Sequence, residues 1–307
     1  MKKMFSVCLA LLCVLSLASC MGDGGKAPAE TTQASNVNPS TQKTVTASGT
    51  EKKKIAKLDF SLMELMEANC ISNLLTNYKS VTSTDRTDNM TFSASYFLKD
   101  GAPAQIIQWK YDSGEVSYGG WYRGYEISKS EDGRVTASIA IDKITETEAF
   151  PYEEVFLSYM RDMTIELVRE QEDCYVLAAK SIYSDPADND VSTLTVDKET
   201  LAIRRIQFES EMDGAVEINI TYDTYVDGME LLDGFGGKLK TVTVVTDIVL
   251  ENGRSNVTVQ KQLPANWELR PYAYEETALY LDADSTVEYK YPGDGKDYTV
   301  YVTNIMG

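Results

Sequence analysis

The sequence predicts an α+β fold that is mainly β, a curved antiparallel sheet packed over one long N-terminal helix and one short helix. Three observations predict it. Most of the chain beyond residue 80 alternates apolar and polar residues with a period of two, broken by Gly, Asn and Asp turn clusters. One stretch near residues 61–78 carries helical spacing instead. Strands never alternate with long helices, so a doubly wound α/β fold is not expected. Composition narrows the chemistry. The 307 residues hold 47 Asp plus Glu against 29 Lys plus Arg, no histidine, and a net charge of −18. Such a chain repels phosphate, so nucleic acid is not an expected partner. Without imidazole there is no Ser-His-Asp or Cys-His dyad, no His-ligated zinc and no ordinary neutral-pH proton shuttle. No cofactor is expected.

The N-terminal segment carries the sharpest signal. Lys2 and Lys3 precede an apolar run, Met4 to Leu17, that is short for a bilayer span. It ends in Leu17-Ala18-Ser19-Cys20, which resembles a bacterial lipoprotein signal, with residues 1–19 as the leader. Small residues let a peptidase take the extended backbone, and the Cys20 thiol accepts a diacylglyceryl group. Each buried methylene contributes about 0.8 kcal/mol, and two or three chains anchor where one does not. The alternative is an ordinary secretory signal with a coincidental cysteine. The resemblance implies an extracytoplasmic protein whose partner is the cell membrane. Residues 20–57 form the anchor and a flexible linker of small and polar residues, which cannot bury enough surface to offset ordering. As a coil this linker spans about 30–37 Å r.m.s.. Its Lys52-Lys53-Lys54 run reads as a solvated charge cluster.

The folded part begins at Leu58. Ser61 and Glu64 fit a capping box, and Leu62, Leu65, Met66, Ile71, Leu74, Leu75 and Tyr78 supply the buried stripe of one helix that stops near Lys79-Ser80. Strands follow. Phe92, Ala94, Tyr96 and Leu98 alternate with Ser93, Ser95 and Phe97, and Ile107, Trp109 and Tyr111 with Gln108 and Lys110. Val135 to Ile141 and Val216 to Tyr222 repeat the pattern. One apolar face per strand needs a cover. The first helix and a short one over Tyr152–Met160 would supply it. Past Gly228, Gly234, Gly236 and Gly237 come further hairpins. Val242, Val244 and Ile248 face Val257, Val259 and Leu263, while Val287, Tyr289 and Tyr291 pair with Tyr298, Val300 and Val302. The expected division is therefore 58–230 for the main sheet domain and 231–307 for added antiparallel hairpins, on the same sheet or as a small appendage.

This order of lipid signal, linker, helix, meander and mid-chain helix resembles the lipoprotein-carrier (LolA-like) superfamily over residues 58–230. The likeness is best at Leu74-Leu75-Thr76-Asn77-Tyr78-Lys79-Ser80-Val81, where a helix feeds the first strand. It recurs from Leu194 to Ile206, a strand, an Asp197-Lys198-Glu199-Thr200 turn and a return strand. The resemblance implies a half-open barrel around its helices, with an apolar cavity for acyl chains, and a non-enzymatic binder of lipid or lipoprotein. Soluble carriers of that family are not lipidated, and their core pattern does not need the strands past residue 230.

Candidate cavity residues are the inward alternators Phe92, Tyr96, Ile107, Trp109, Ile139, Ile218 and Ile220 with Leu65, Leu74 and Leu75 from the helix. Plain core is the alternative for each. A filled core would leave a cell-surface protein- or glycan-binding or sensor module. Trp109, Tyr111, Tyr118, Trp121, Tyr122 and Tyr125 line a cavity, stack on sugars or merely stabilise hairpins; Gly119-Gly120 between them reads as a bulge. An extracytoplasmic address permits a Cys70–Cys174 disulfide, closing a loop of about 100 residues and contributing up to about 4–5 kcal/mol, with two separate buried thiols as the alternative. Asp185, Asp188 and Asp190 lack EF-hand spacing, so no metal site is expected. Gly234-Phe235-Gly236-Gly237-Lys238 fails the Walker spacing and reads as a flexible connection. No pair of acids is singled out and no Gly-x-Ser-x-Gly elbow occurs, so no catalytic residue is assigned. Oligomeric state is open.

Overall fold

The computed structural model describes residues 58–87, 89–130, 132–145, 163–182, 191–210, 214–250, 253–273 and 277–304. The leader, Cys20, the basic run, the Tyr152–Met160 segment and the Asp185–Asp190 cluster lie outside the described residues. Ser61 onward forms one compact unit.

The helical stripe is two helices, α1 (Leu62–Ala68) and α2 (Ile71–Asn77), rather than one long one. Ser61 caps α1 with the expected reciprocal box: Glu64 N–H donates to Ser61 Oγ at 3.2 Å and Ser61 N–H to Glu64 Oε2 at 2.7 Å. The break is at Asn69-Cys70. Asn69 favours local hydrogen bonds over helix continuation, and here its side chain has a stronger use. Nδ2 donates to Leu65 O and to Leu201 O, both at 2.8 Å, and Oδ1 accepts from Ile203 N–H at 2.9 Å. One amide thus ends a helix and fastens it to a strand.

Among the described residues sixteen strands follow: β1 Ser80–Thr87, β2 Met90–Lys99, β3 Ala102–Tyr111, β4 Val116–Tyr122, β5 Tyr125–Lys129, β6 Val135–Ala140, β7 Met163–Glu170, β8 Cys174–Ser181, β9 Val191–Asp197, β10 Ile203–Ser210, β11 Gly214–Tyr222, β12 Leu239–Leu250, β13 Gly253–Pro264, β14 Glu268–Tyr272, β15 Thr277–Tyr280 and β16 Tyr298–Asn304. Twelve of them form one open, curved sheet in the order β14-β6-β5-β4-β3-β2-β1-β11-β10-β9-β8-β7. Every neighbour pair is antiparallel except β14 with β6. The fold is therefore mainly β, with a large sheet not closed into a barrel.

The remaining four strands make a second sheet, β13-β12-β16-β15. The Val244–Val259 pairing across the β12–β13 hairpin follows the sequence pattern. The last hairpin does not. Tyr298, Val300 and Val302 of β16 run parallel to β12 and antiparallel to β15, and residues 287–289 lie along β15 instead, through the Tyr280–Glu288 bridge and Tyr289 N–H donating to Leu279 O at 2.9 Å. A buried Val244 offers β16 a better neighbour than the Gly- and Asp-rich turn before it.

The two sheets pack face to face over part of their area. Phe97, Ile106, Tyr122, Ile127 and Ile139 from β2–β6 meet Val242, Val244, Leu263 and Val300 from the second sheet in one buried cluster. A 3-10 helix, Met229–Gly236, plugs its end. Here the glycine-rich stretch read as a flexible connection is a packed one. Phe235 sits edge-on to Tyr122 and Trp267 with centroids 5.4 and 5.1 Å away, and a Cβ on Gly234 would meet Pro264 and Trp267 at 3.0 Å. The connection into this plug is pinned as well. Tyr118 Oη donates to Asp227 Oδ2 at 2.8 Å and accepts from Gln108 Nε2 at 3.0 Å, while the Tyr118 ring fills the space beside Gly228, whose φ is +80°. Burial, with the Asp227 carboxylate adding to it, pushes the Tyr118 phenol up.

Candidate ligand-binding face

The first sheet has a helix-bearing face and an opposite face, and the register tells which residue lies on which. On the helix-bearing face one row crosses the sheet: Leu167 of β7, Leu177 of β8, Leu194 of β9, Ile206 of β10, Ile218 of β11, Asp85 of β1, Phe92 of β2 and Trp109 of β3 stand directly opposite one another in turn. This is an apolar belt with one carboxyl group near its middle. Its β8–β10 members are sealed, Leu177 and Leu194 at 0 % and Ile206 at 1 % exposure. Ile218, Phe92 and Trp109 are only half-buried, although they continue the same row. Asp85 is 7 % exposed.

Local packing shapes the open end. The Trp109 and Phe92 rings meet edge-on with centroids 6.0 Å apart. Trp109 lies over Gly119, where a Cβ would stand 3.2 Å from its six-membered ring. Both glycines also make room for backbone, since a Cβ on Gly119 would stand 3.1 Å from Ile127 O and one on Gly120 would fall 2.3 Å from Gln105 O. The β3–β4 register runs without a shift, so these glycines mark close approaches and not the bulge that the sequence suggested.

Under the helices the same face is filled. Leu65, Leu74, Tyr96 and Ile220 are 0–4 % exposed, and Val81 at 0 % lies between Tyr96 and Tyr222. Tyr78, which ends α2, places its ring 4.3 Å from that of Tyr222. Tyr222 Oη donates to Ile203 O at 2.7 Å, and burial drives its phenol well above the usual range. Leu75 and Ile107 are half-buried. Nine of the ten candidate residues therefore belong to the helices or to the face they cover. Ile139 does not. Counting across β3, β4, β5 and β6, Ile107 stands opposite Gly119, Ser128 and Thr136, and odd-numbered Ile139 projects the other way, into the core between the sheets.

The aromatic stretch is likewise divided: Trp109 and Trp121 lie on the helix-bearing face, Tyr118, Tyr122 and Tyr125 on the opposite one, so no single surface gathers them. Cys70 and Cys174 are not bridged. Cys70 caps α2, while Cys174 opens β8 with Sγ 2.9 Å from the side-chain amide of Gln171. Sequence reasoning missed Asp85 and the β7–β10 members of the belt. Leu194 and Val196 alternate with Thr193 and Thr195, which marks a strand, but only the register places Leu194 in line with Phe92. A groove of about 370 Å³ lined by Leu75, Thr76, Asn77, Tyr78, Lys79 and Leu98 opens at the end of α2. Leu98 lies six residues along β2 from Phe92, about 20 Å at strand rise, so groove and belt are separate. Among the described residues no group of three or more Cys, Asp or Glu is placed to hold a metal ion.

No family model matches the chain, and no curated protein does. Solved structures do. The Mycobacterium tuberculosis lipoprotein LppX is 10 % identical, with 54 % of this chain and 97 % of that one covered at a TM-score of 0.33. MucB in its complex with MucA from Pseudomonas aeruginosa is 12 % identical, with 66 % and 74 % covered at 0.33. A LolA superfamily protein from Nitrosomonas europaea is 11 % identical, with 54 % and 95 % covered at 0.24.

Proposed function

We propose that this chain is an extracytoplasmic lipoprotein, anchored through Cys20, that holds a hydrocarbon ligand, an acyl chain or a lipoprotein tail, against the helix-bearing face of its sheet without chemical turnover. One observation carries the reading. The belt is continuous from Leu167 to Trp109, yet it is sealed at β8–β10 and half-open at Ile218, Phe92 and Trp109. An apolar guest laid along those three residues completes a burial that the protein leaves incomplete, at about 25 cal/mol for each Å² removed from water. Asp85 beside them gives such a guest one polar neighbour, suited to a hydroxyl or amine near its head. The role of the other residues is shape and dispersion.

The filled packing of Leu65, Leu74, Tyr96 and Ile220 favours a second reading, a cell-surface recognition module with no internal guest. Native mass spectrometry of the purified chain separates the two. Co-purifying lipid, lost in a Phe92→Asp variant that still melts cooperatively, supports the binder. A protein that is empty when purified and takes up no added fatty acid overturns it and leaves the recognition module.

A further inference from the structure

Among the described residues the two sheets expose four edge strands, and three are defended. β7 carries Glu166, Arg169 and Glu170 with a register shift between Leu167 and Arg169. β14 is five residues long and contains Pro271, and β15 has only four residues. Charges, bulges, proline and shortness are the ordinary means by which an edge refuses a foreign strand. The fourth edge, β13, is the least defended: it has no bulge, it is long, and its charges, Arg254 and Lys261, stand only toward its two ends. It runs for twelve residues in unbroken register with β12, contains no acid in a chain of net charge −18, and reaches its only proline at the last position.

The pairing fixes which groups are free. Thr241 N–H donates to Asp297 Oδ1 at 2.8 Å, so Thr241 and Gln262 form a non-hydrogen-bonded pair. The backbone groups of every second β13 residue, Asn256, Thr258, Gln260 and Gln262, therefore point away from β12. Tyr125 Oη already donates to Gln262 O at 3.5 Å. What remains open is a short ladder from Asn256 to Gln260, centred on Thr258.

We infer that this edge pairs with the same edge of a second copy of the chain, antiparallel about a two-fold axis through Thr258. The sequence is self-complementary in that register alone. Thr258 meets Thr258, Val257 meets Val259, Asn256 meets Gln260, and Lys261 meets Ser255, so no like charges are opposed. Shifting the axis by one residue sets Lys261 against Val257 or Ser255 against Val259. The outward backbone groups also match in parity, Thr258 with Thr258 as a hydrogen-bonded pair. The two second sheets would then merge into one continuous sheet.

Sedimentation equilibrium of the full chain tests this. The expected result is a concentration-dependent dimer whose dissociation constant rises about tenfold or more in Thr258→Pro, a change tolerated by the fold because that N–H faces outward. Hydrogen-bonded antiparallel positions hold Cα atoms about 5.5 Å apart, within disulfide range, so Thr258→Cys should cross-link to itself on oxidation. Gln260→Cys should cross-link to Asn256→Cys and not to itself. A monomer at every concentration overturns the proposal, as does a dimer indifferent to Thr258→Pro. A monomer that instead binds an extended acidic peptide through β13 overturns it too, and assigns the edge to a foreign strand.

Discussion

Replacing Asn69 by alanine should loosen both helices from the sheet. The side chain is 1 % exposed and serves three partners. Leu65 O keeps a bond from the Asn69 backbone N–H at 3.2 Å, so it is not orphaned. Ile203 is different. At 0 % exposure its N–H would lose its acceptor with no water to replace it, at about 1–3 kcal/mol, and the lost bond to Leu201 O adds about 0.5–1.5 kcal/mol. Leu201 holds a φ of +58°, a conformation costly for a branched side chain, and the Asn69 bond to its carbonyl helps keep it there. The expected loss is about 2–4 kcal/mol, or about 4–16 °C in melting temperature for a unit of this size. Urea denaturation followed by circular dichroism measures the first, and amide exchange at Ile203 locates it. A variant with wild-type melting and a slowly exchanging Ile203 amide would refute the clamp, and with it the account of why the helix breaks at Asn69.

Two further outcomes follow from the same packing. Gly120→Ala should prevent folding or remove most of the stability, because its Cβ would collide with the Gln105 carbonyl, whereas Gly119→Ala should fold and shift Trp109 fluorescence as the indole gives way; equal effects on stability would contradict the distinction. At low pH, burial acts to raise the Asp197 carboxyl, but bonds from Thr200 N–H and Oγ1, from Arg204 and from Glu199 N–H outweigh it and hold the pKa below its ordinary 3.8. A depressed acid stabilises the fold above its unfolded pKa, and that contribution is lost as pH falls through the folded value. Asp197→Asn should therefore flatten the acid limb of the urea midpoint below about pH 4, leaving a shallower decline; an unchanged limb would refute it.

Much of this architecture was legible because alternation and capping are local. Ser61 and Glu64 announced α1 by spacing alone, and the alternation in β2, β3 and β11 named their buried faces. What was not legible depended on partners distant in sequence. The helix break is driven by Leu201 and Ile203, more than a hundred residues away. Ile139 alternates like Ile107, and period two cannot say which of two covered faces it serves. That ambiguity arises because β2 is buried on both faces, Tyr96 toward the helices and Phe97 toward the second sheet, and alternation within a strand cannot say which cover lies over β6. The glycines at 234 and 236 looked like slack, since composition shows freedom of backbone and not the Phe235 ring wedged beside them. The belt escaped notice for a simpler reason. Register joins it, and no single strand holds two adjacent members.

The parallel pairing of β14 with β6 has a consequence for the order of events in synthesis. Phe97, Ile106, Tyr122 and Ile127 are made early, but the strands that shield them arrive only with residues 239–304. A nascent chain halted near residue 230 would carry a greasy, unshielded surface and should clump instead of folding. Deletion mapping that treats the last quarter as dispensable would then report insolubility, which an experimenter could mistake for loss of activity.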